Sequence, residues 1–464
     1  VIPLSLAEVA EAVAGRLTPD ATGVVTGKVT VDSRTVAPGD LFVAVPGERV
    51  DGADFLAAAA AAGAVAALST RPDDALPCVV VDEPVAALGR LAAEVHTRLV
   101  AGGLTTLGIT GSSGKTSTKD LLGQVLAAAG PTVSPPGSYN NDIGLPLTVL
   151  DADATTRFLV LEMGSRGPGH IARLCGIARP RIGVVLNVGS AHLGEFGSPE
   201  GTAAAKGELV EALPADGTAV LNADDARVLG MRPRTRARVL TTGLADGADV
   251  RAADVTLDDA GRARFTLTVG EEHHPVRLQV VGAHQVANAL SATAAALAAG
   301  MAPADVAAAL SAAGPRSRWR MEVTRRADGV TVVNDAYNAN PESMRAALAA
   351  LTGLSGQRRV AVLGAMGELG PGADAEHERL GEDAVAAGVD LVVAVGPDAV
   401  GIARGAFRAG AREGEGAVHV PDRAAAREML MEALVPGDVV LVKASRSYGL
   451  EVLAADLLDA GAGA

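Results

Sequence analysis

Gly111, Ser112, Ser113, Gly114, Lys115 and Thr116 stand in a row behind a β-prone run, residues 104–110, that closes on Thr110. Glycines at both ends of such a turn let consecutive backbone N–H groups converge on one point, and a helix that follows adds the positive end of its dipole. Lys115 brings a mobile ammonium to the same place, and Thr116 and Ser117 bring hydroxyls. Together they make a cradle for nucleotide phosphates, with Thr116 placed to meet an accompanying magnesium ion. The spacing G-x-x-x-x-G-K-[ST] is not strictly met, because Ile109 occupies the position of its first glycine.

Three residues further along could work with that cradle. Glu162 ends the apolar run 158–161, and a carboxylate at a strand exit suits a phosphate-bound magnesium. His192 follows the apolar run 184–188 in a turn, where it can be a general base, a metal ligand or an ordinary turn residue. Lys206 lies on a predicted helix and admits two readings. It is a salt-bridge partner of Glu208 or Glu211, or it is a functional amine that reacts with carbon dioxide to give a carbamate, an oxygen ligand for a hard metal ion.

In the last third of the chain, Asn334, Asp335, Tyr337, Asn338 and Asn340 crowd behind a strand run and lead into Pro341, fit to begin a helix. Asp335 there could bind a ribose or a metal. The stretch 364–370 is spaced G-x-x-G-x-x-G rather than G-x-G-x-x-G, so it gives little support to a dinucleotide site.

These residues need a scaffold, and 464 residues with 48% hydrophobic content suffice for two to four domains with their own cores. The longest small-apolar run, 55–68, is mostly alanine and too short to span a bilayer, and no charged leader precedes an apolar core. The expectation is a cytoplasmic protein without membrane insertion. Two cysteines, Cys78 and Cys175, in no C-x-x-C spacing support neither a disulfide framework nor a thiolate metal site. A net charge of −14 argues against nucleic acid as a partner. Only five lysines stand against 35 arginines, so each retained lysine is a candidate for chemistry a guanidinium cannot do.

The patterning divides the chain into three α/β units: a small mixed domain over 1–101, a central mononucleotide-binding parallel sheet over 102–314 and a Rossmann-like open sheet over 315–464. In the central unit, runs ending in polar residues read as parallel strands buried on both faces, with ligands at their carboxyl ends. Runs 262–269 and 275–281 read as antiparallel additions around Glu271, Glu272, His273 and His274. Strand runs at 330–333, 360–363, 391–395 and 439–442 mark the last unit.

Over nearly its whole length the chain resembles the Mur ligases. The resemblance is carried by Asp32-Ser33-Arg34, by 40–49, by the cradle 110–116, and by Asn140-Asn141-Asp142-Ile143-Gly144. Glu162-Met163-Gly164, Ala191-His192-Leu193, Ala205-Lys206-Gly207-Glu208, residues 284–289, residues 334–341 and Lys443-Ala444-Ser445-Arg446-Ser447 continue it. The resemblance implies an ATP-dependent ligase that phosphorylates a carboxylate and then lets an amine attack the acyl phosphate. Residues 140–144 and 335–341 point to the branch of the family that joins D-alanyl-D-alanine to UDP-N-acetylmuramoyl-tripeptide.

It further implies that Lys115 and the cradle hold ATP, that Thr116 and Glu162 serve one Mg2+, and that His192 and a carbamylated Lys206 serve a second. Asn288, Asp335 and Arg320 (or Arg318) would complete the nucleotide site. Ser33 and Arg34 would lie at the uridine, Asn140 and Asn141 near the muramoyl-peptide, and Tyr337, Asn338 and Lys443 are further site candidates. Gln285 departs from the asparagine that many members carry after the histidine. A monomer is expected, with closure of the third domain onto the second completing the site.

Overall fold

The computed structural model describes residues 1–19, 21–189 and 196–460. Three large sheets organise an α/β fold of three domains. The central sheet has nine strands, in the order Glu272–Val281, Arg262–Val269, Val250–Leu257, Arg238–Gly243, Thr218–Asn222, Ile182–Val185, Thr105–Thr110, Phe158–Glu162 and Thr132–Val133. Pairing is parallel from Val250–Leu257 onward and antiparallel in the first two ladders. The strand Thr105–Thr110 lies between a later strand on either side, Phe158–Glu162 and Ile182–Val185. Chain connections diverge at that point, and a crevice opens beyond the carboxyl ends of the strands.

These strands are Val-, Leu- and Ile-rich because both faces are covered. On one face the helices Lys115–Ala127 and Gln285–Ala298 bury Leu121, Leu122, Val125, Ala289 and Leu290 against Leu107 and Ile109. On the other, Leu159, Leu161 and Met163 share a core with Leu91 and Val95 of the helix Pro84–Ala101. That helix therefore fixes the first domain to the central sheet.

The first domain holds a five-stranded sheet ordered Arg16–Leu17, Cys78–Val80, Ala66–Ser69, Leu41–Val43 and Val29–Thr30, in which only the Arg16 pairing is antiparallel. The third domain has six strands, ordered Glu322–Arg325, Thr331–Asn334, Asp438–Lys443, Arg358–Gly364, Leu391–Val395 and Ala417–Val420, parallel except for the first. Cys78 and Cys175 are both buried free thiols. Among the described residues no helix is long and apolar enough to cross a membrane.

Edge strands depart most from the sequence reading. Glu322–Arg325 is mostly exposed and charged, as edge strands are where they must resist pairing with other chains, and so it lacks an apolar run. The hairpin strand expected from Pro275 starts at Glu272, because Gly270 takes φ 59° and pairs Glu272 with Val269 and His273 with Thr268.

Candidate active site

Gly114 begins the helix Lys115–Ala127 with φ 80°, and a Cβ there would stand 2.4 Å from Asn288 Oδ1. Both facts require glycine. The loop is held from behind by Asn187, whose Oδ1 accepts from Ser113 N at 2.9 Å and whose backbone oxygen accepts from Ser112 N at 3.1 Å. Lys115 folds back over it, Nζ donating to Gly111 O at 2.6 Å. Burial lowers the Lys115 pKa, nearby Glu162 opposes that fall, and Arg320 adds to it.

Parallel pairing sets Glu162 opposite Ile109, one strand over from the cradle, and its carboxylate is almost wholly buried. Thr116 Oγ1 donates to Glu162 Oε2 at 2.9 Å, while Oε1 accepts from Ser138 Oγ at 2.7 Å and from Asn140 Nδ2 at 2.9 Å. A hydroxyl and a fixed carboxylate form a hard-oxygen donor set, which fits magnesium. Asn140 thus orients Glu162, and Asn141 Oδ1 accepts from the backbone of Ile143 and Gly144.

Lys206 is 3% exposed on the helix Pro199–Glu211 and makes no ion pair among the described residues. Glu208 instead accepts from the backbone N–H groups of Gly169 and Ala172, and Glu211 pairs with Arg234. That arrangement removes the salt-bridge reading of Lys206. Burial, with the Lys115 charge nearby, pushes its pKa down to about 7. His192 lies outside the described residues.

The third domain closes the crevice. Arg320 Nη2 donates to Thr116 Oγ1 at 3.0 Å, the guanidinium lies 4.1 Å over the Tyr337 ring, and its buried Nε has no hydrogen-bond partner among the described residues. Asn340 Nδ2 reaches Ser112 O at 3.3 Å, and Ser317 bonds both Gly137 and Asp120. Arg320 supplies this contact, and Arg318 is absent from the cleft. Asp335 is gripped by Lys443 at 2.6 Å, and Lys443 also donates to Asn338 O at 2.8 Å. Asn288 accepts from Thr118 and donates to Gln285, so the departure at Gln285 is absorbed as a bond within the helix.

One cleft of about 460 Å³ gathers the cradle, Glu162, Lys206, Asn140, Asn141, Arg320, Tyr337 and Asn338. Ser33 and Arg34 are not part of it. They sit in a turn of the first domain, where Arg34 makes a two-point bond to Asp32 at 2.8 and 2.7 Å. Ser138, Arg166, His170 and Glu368 also line the cleft and were not singled out from sequence as site residues. All four follow or face strand exits, which is the signal that could have found them.

Such a cleft can bind a nucleoside triphosphate, surround its terminal phosphate with Lys115 and Arg320, and admit a second substrate from the third domain. Family models match in three blocks: the Mur ligase family catalytic domain over residues 27–97, the Mur ligase middle domain over 109–296 and the Mur ligase glutamate ligase domain over 319–446. The UDP-N-acetylmuramoyl-tripeptide–D-alanyl-D-alanine ligase of Mycobacterium tuberculosis is 48% identical over 98% of this chain and 97% of its own length. The enzyme of that name from Escherichia coli is 37% identical over 93% and 94%. The crystal structure of MurF from Acinetobacter baumannii superposes with a TM-score of 0.88 at 32% identity, covering 98% of this chain and 99% of that one. MurF ligase from Thermotoga maritima in complex with ADP gives 0.80 at 31%, covering 96% and 100%.

Proposed function

This chain belongs to the Mur ligase family, and we propose that it is the ATP-dependent ligase joining D-alanyl-D-alanine to the terminal carboxylate of UDP-N-acetylmuramoyl-tripeptide. The product is the complete peptide of a cytoplasmic peptidoglycan precursor. The observation that carries the reading is the Thr116 hydroxyl, bonded at once to Glu162 of the central domain and to Arg320 of the third. It sits where the helix that receives phosphates meets the domain that delivers the acceptor.

A carboxylate resists attack by amines because its own charge repels them, so it must first become a better electrophile. ATP supplies the phosphoryl group, and the acyl phosphate that results is attacked by the amine of D-alanyl-D-alanine. Phosphate then leaves. The cradle N–H groups and Lys115 hold the phosphates, and Arg320 neutralises charge that spreads over the phosphoryl oxygens as it moves. Magnesium at Thr116 and Glu162, with a second ion at His192 and a Lys206 carbamate, would supply further neutralising charge.

A Lys206 amine with a pKa near 7 is substantially neutral at cytoplasmic pH, the form that combines with carbon dioxide. Asp335 and Asn288 serve the nucleotide, Tyr337 and Asn338 border the acceptor, Asn140 and Asn141 the muramoyl-peptide, and Ser33 and Arg34 the uridine. The domains run 1–101, 102–314 and 315–464, and the enzyme works as a monomer whose third domain closes over bound ATP. The test is phosphate release from ATP with UDP-N-acetylmuramoyl-tripeptide, comparing D-alanyl-D-alanine with single amino acids. Release only with the dipeptide is expected. Equal release with a single amino acid would assign the chain to another branch of the family.

A further inference from the structure

Lys119 is one of the five lysines and has no part in the steps above, yet its side chain is buried on the helix Lys115–Ala127. A buried ammonium persists where it is paired, and this one donates to Asp120 Oδ1 and to Pro135 O. The other carboxylate oxygen, Asp120 Oδ2, accepts from the backbone N–H of Ser317 at 3.1 Å, and Ser317 Oγ accepts from Gly137 N at 2.9 Å. One turn further along the helix, Gln124 holds both backbone groups of Gly314. Its Nε2 donates to Gly314 O at 3.0 Å and its Oε1 accepts from Gly314 N at 3.1 Å.

Thr116, Asp120 and Gln124 recur every fourth position and so line one face of that helix. They meet Arg320, Ser317 and Gly314 in turn, so the chain entering the third domain runs back along the helix toward the phosphates. Beyond Ser317 the backbone is held by the third domain instead. Trp319 O accepts from Tyr337 N at 3.3 Å, the Trp319 ring lies 4.2 Å from the Arg446 guanidinium, and Met321 N donates to Asp335 Oδ1 at 3.1 Å. Trp319 and Met321 take φ 59° and 51°, left-handed backbone that residues with side chains adopt at a cost. Arg320 stands between them, three residues past the last backbone bond to the helix.

We propose that Asp120 is a positioning residue for Arg320: with Gln124 it docks residues 314–317 along the helix, which fixes where the guanidinium arrives at Thr116 and the ATP phosphates. The proposal rests on the ligase reading above, in which Arg320 neutralises the moving phosphoryl group. A displacement of about 1 Å in such a group can cost about a hundredfold in rate. Loss of the Ser317 bond therefore acts on kcat, and acts through Arg320.

The experiment is a double-mutant cycle on kcat, read as phosphate release with UDP-N-acetylmuramoyl-tripeptide and D-alanyl-D-alanine. Asp120→Asn keeps one oxygen for Lys119 and sets an amide N–H against the Ser317 N–H, so two donors meet. With Arg320 present it should lower kcat at least about tenfold, and in the Arg320→Ala background by less than about twofold. The KM for D-alanyl-D-alanine should stay within about threefold, since the residues that border the acceptor are carried by the third domain. Asp120→Asn also strips Lys119 of its counter-charge. If that variant does not fold, Gln124→Leu makes the same test, because it releases Gly314 and leaves the Lys119–Asp120 pair intact. It should lower kcat at least about threefold with Arg320 present and leave Arg320→Ala unchanged. An equal proportional loss in both backgrounds, or a folded variant with the parent kcat, would overturn this proposal alone. Failure of the unchanged enzyme to ligate the dipeptide at all would overturn the ligase reading with it.

Discussion

Replacing Arg320 by alanine should abolish most turnover while leaving the protein folded. In this structure, among the described residues, the side chain gives one hydrogen bond, to Thr116 Oγ1 at 3.0 Å, and one stacking contact, 4.1 Å over Tyr337. Each is worth about 1 kcal/mol, and the buried Nε, without a partner among the described residues, offsets part of that gain. The melting temperature should therefore fall by no more than about 4 °C. The catalytic loss is larger, because a preorganised cation beside a transferring phosphoryl group contributes about 3–4 kcal/mol, or roughly a hundred- to a thousandfold in rate. Initial rates of phosphate release would show kcat falling by that factor, with KM for the tripeptide nearly unchanged. Arg320→Lys should recover little, since a point charge cannot both stack on Tyr337 and reach Thr116. An alanine variant within about threefold of the parent kcat would refute the reasoning.

Lys206→Ala should lose most activity and regain some when short carboxylic acids are added, as these can stand where the carbamate would; full activity of the variant would remove Lys206 from the mechanism. Because burial lowers the Lys206 pKa to about 7 from an ordinary 10.5, the unfolded chain binds the extra proton between those values, so stability rises with pH across that window. Lys206→Met should accordingly raise the melting temperature at pH 6 and keep a distinctly smaller advantage at pH 9, as scanning calorimetry at both values would show. Thr116→Val leaves Glu162 Oε2 and Arg320 Nη2 without their shared partner, so it should weaken magnesium-dependent turnover by about a hundredfold while the KM for D-alanyl-D-alanine stays put. Scattering with an ATP analogue and both substrates should show a more compact particle, and an unchanged radius would count against domain closure.

The parts of the site written in consecutive residues were legible before the fold. The cradle is one: glycines, lysine and threonine define it locally, and Asn187 and Asn288 only hold it in place. Glu162 was legible as the polar end of an apolar strand, but its bond to Thr116 depends on strand order, which spacing does not encode. Arg320 and Thr116 are 204 positions apart, and Lys443 and Asp335 are 108 apart, so those contacts arise only when whole domains are assembled. Lys206 needed burial to decide between an ion pair and a free amine. Edge strands such as Glu322–Arg325 were missed because exposed polar residues are what keep an edge from pairing with other chains.

The central claim is that ATP activates the tripeptide carboxylate by phosphorylating it. The most direct measurement uses UDP-N-acetylmuramoyl-tripeptide whose terminal carboxylate carries oxygen-18, with ATP and D-alanyl-D-alanine, followed by mass analysis of the released phosphate. When the amine displaces phosphate from an acyl phosphate, the carbon–oxygen bond breaks and one carboxylate oxygen leaves on phosphorus. One labelled oxygen per phosphate is the predicted result, and unlabelled phosphate accompanying ligated product would contradict the account.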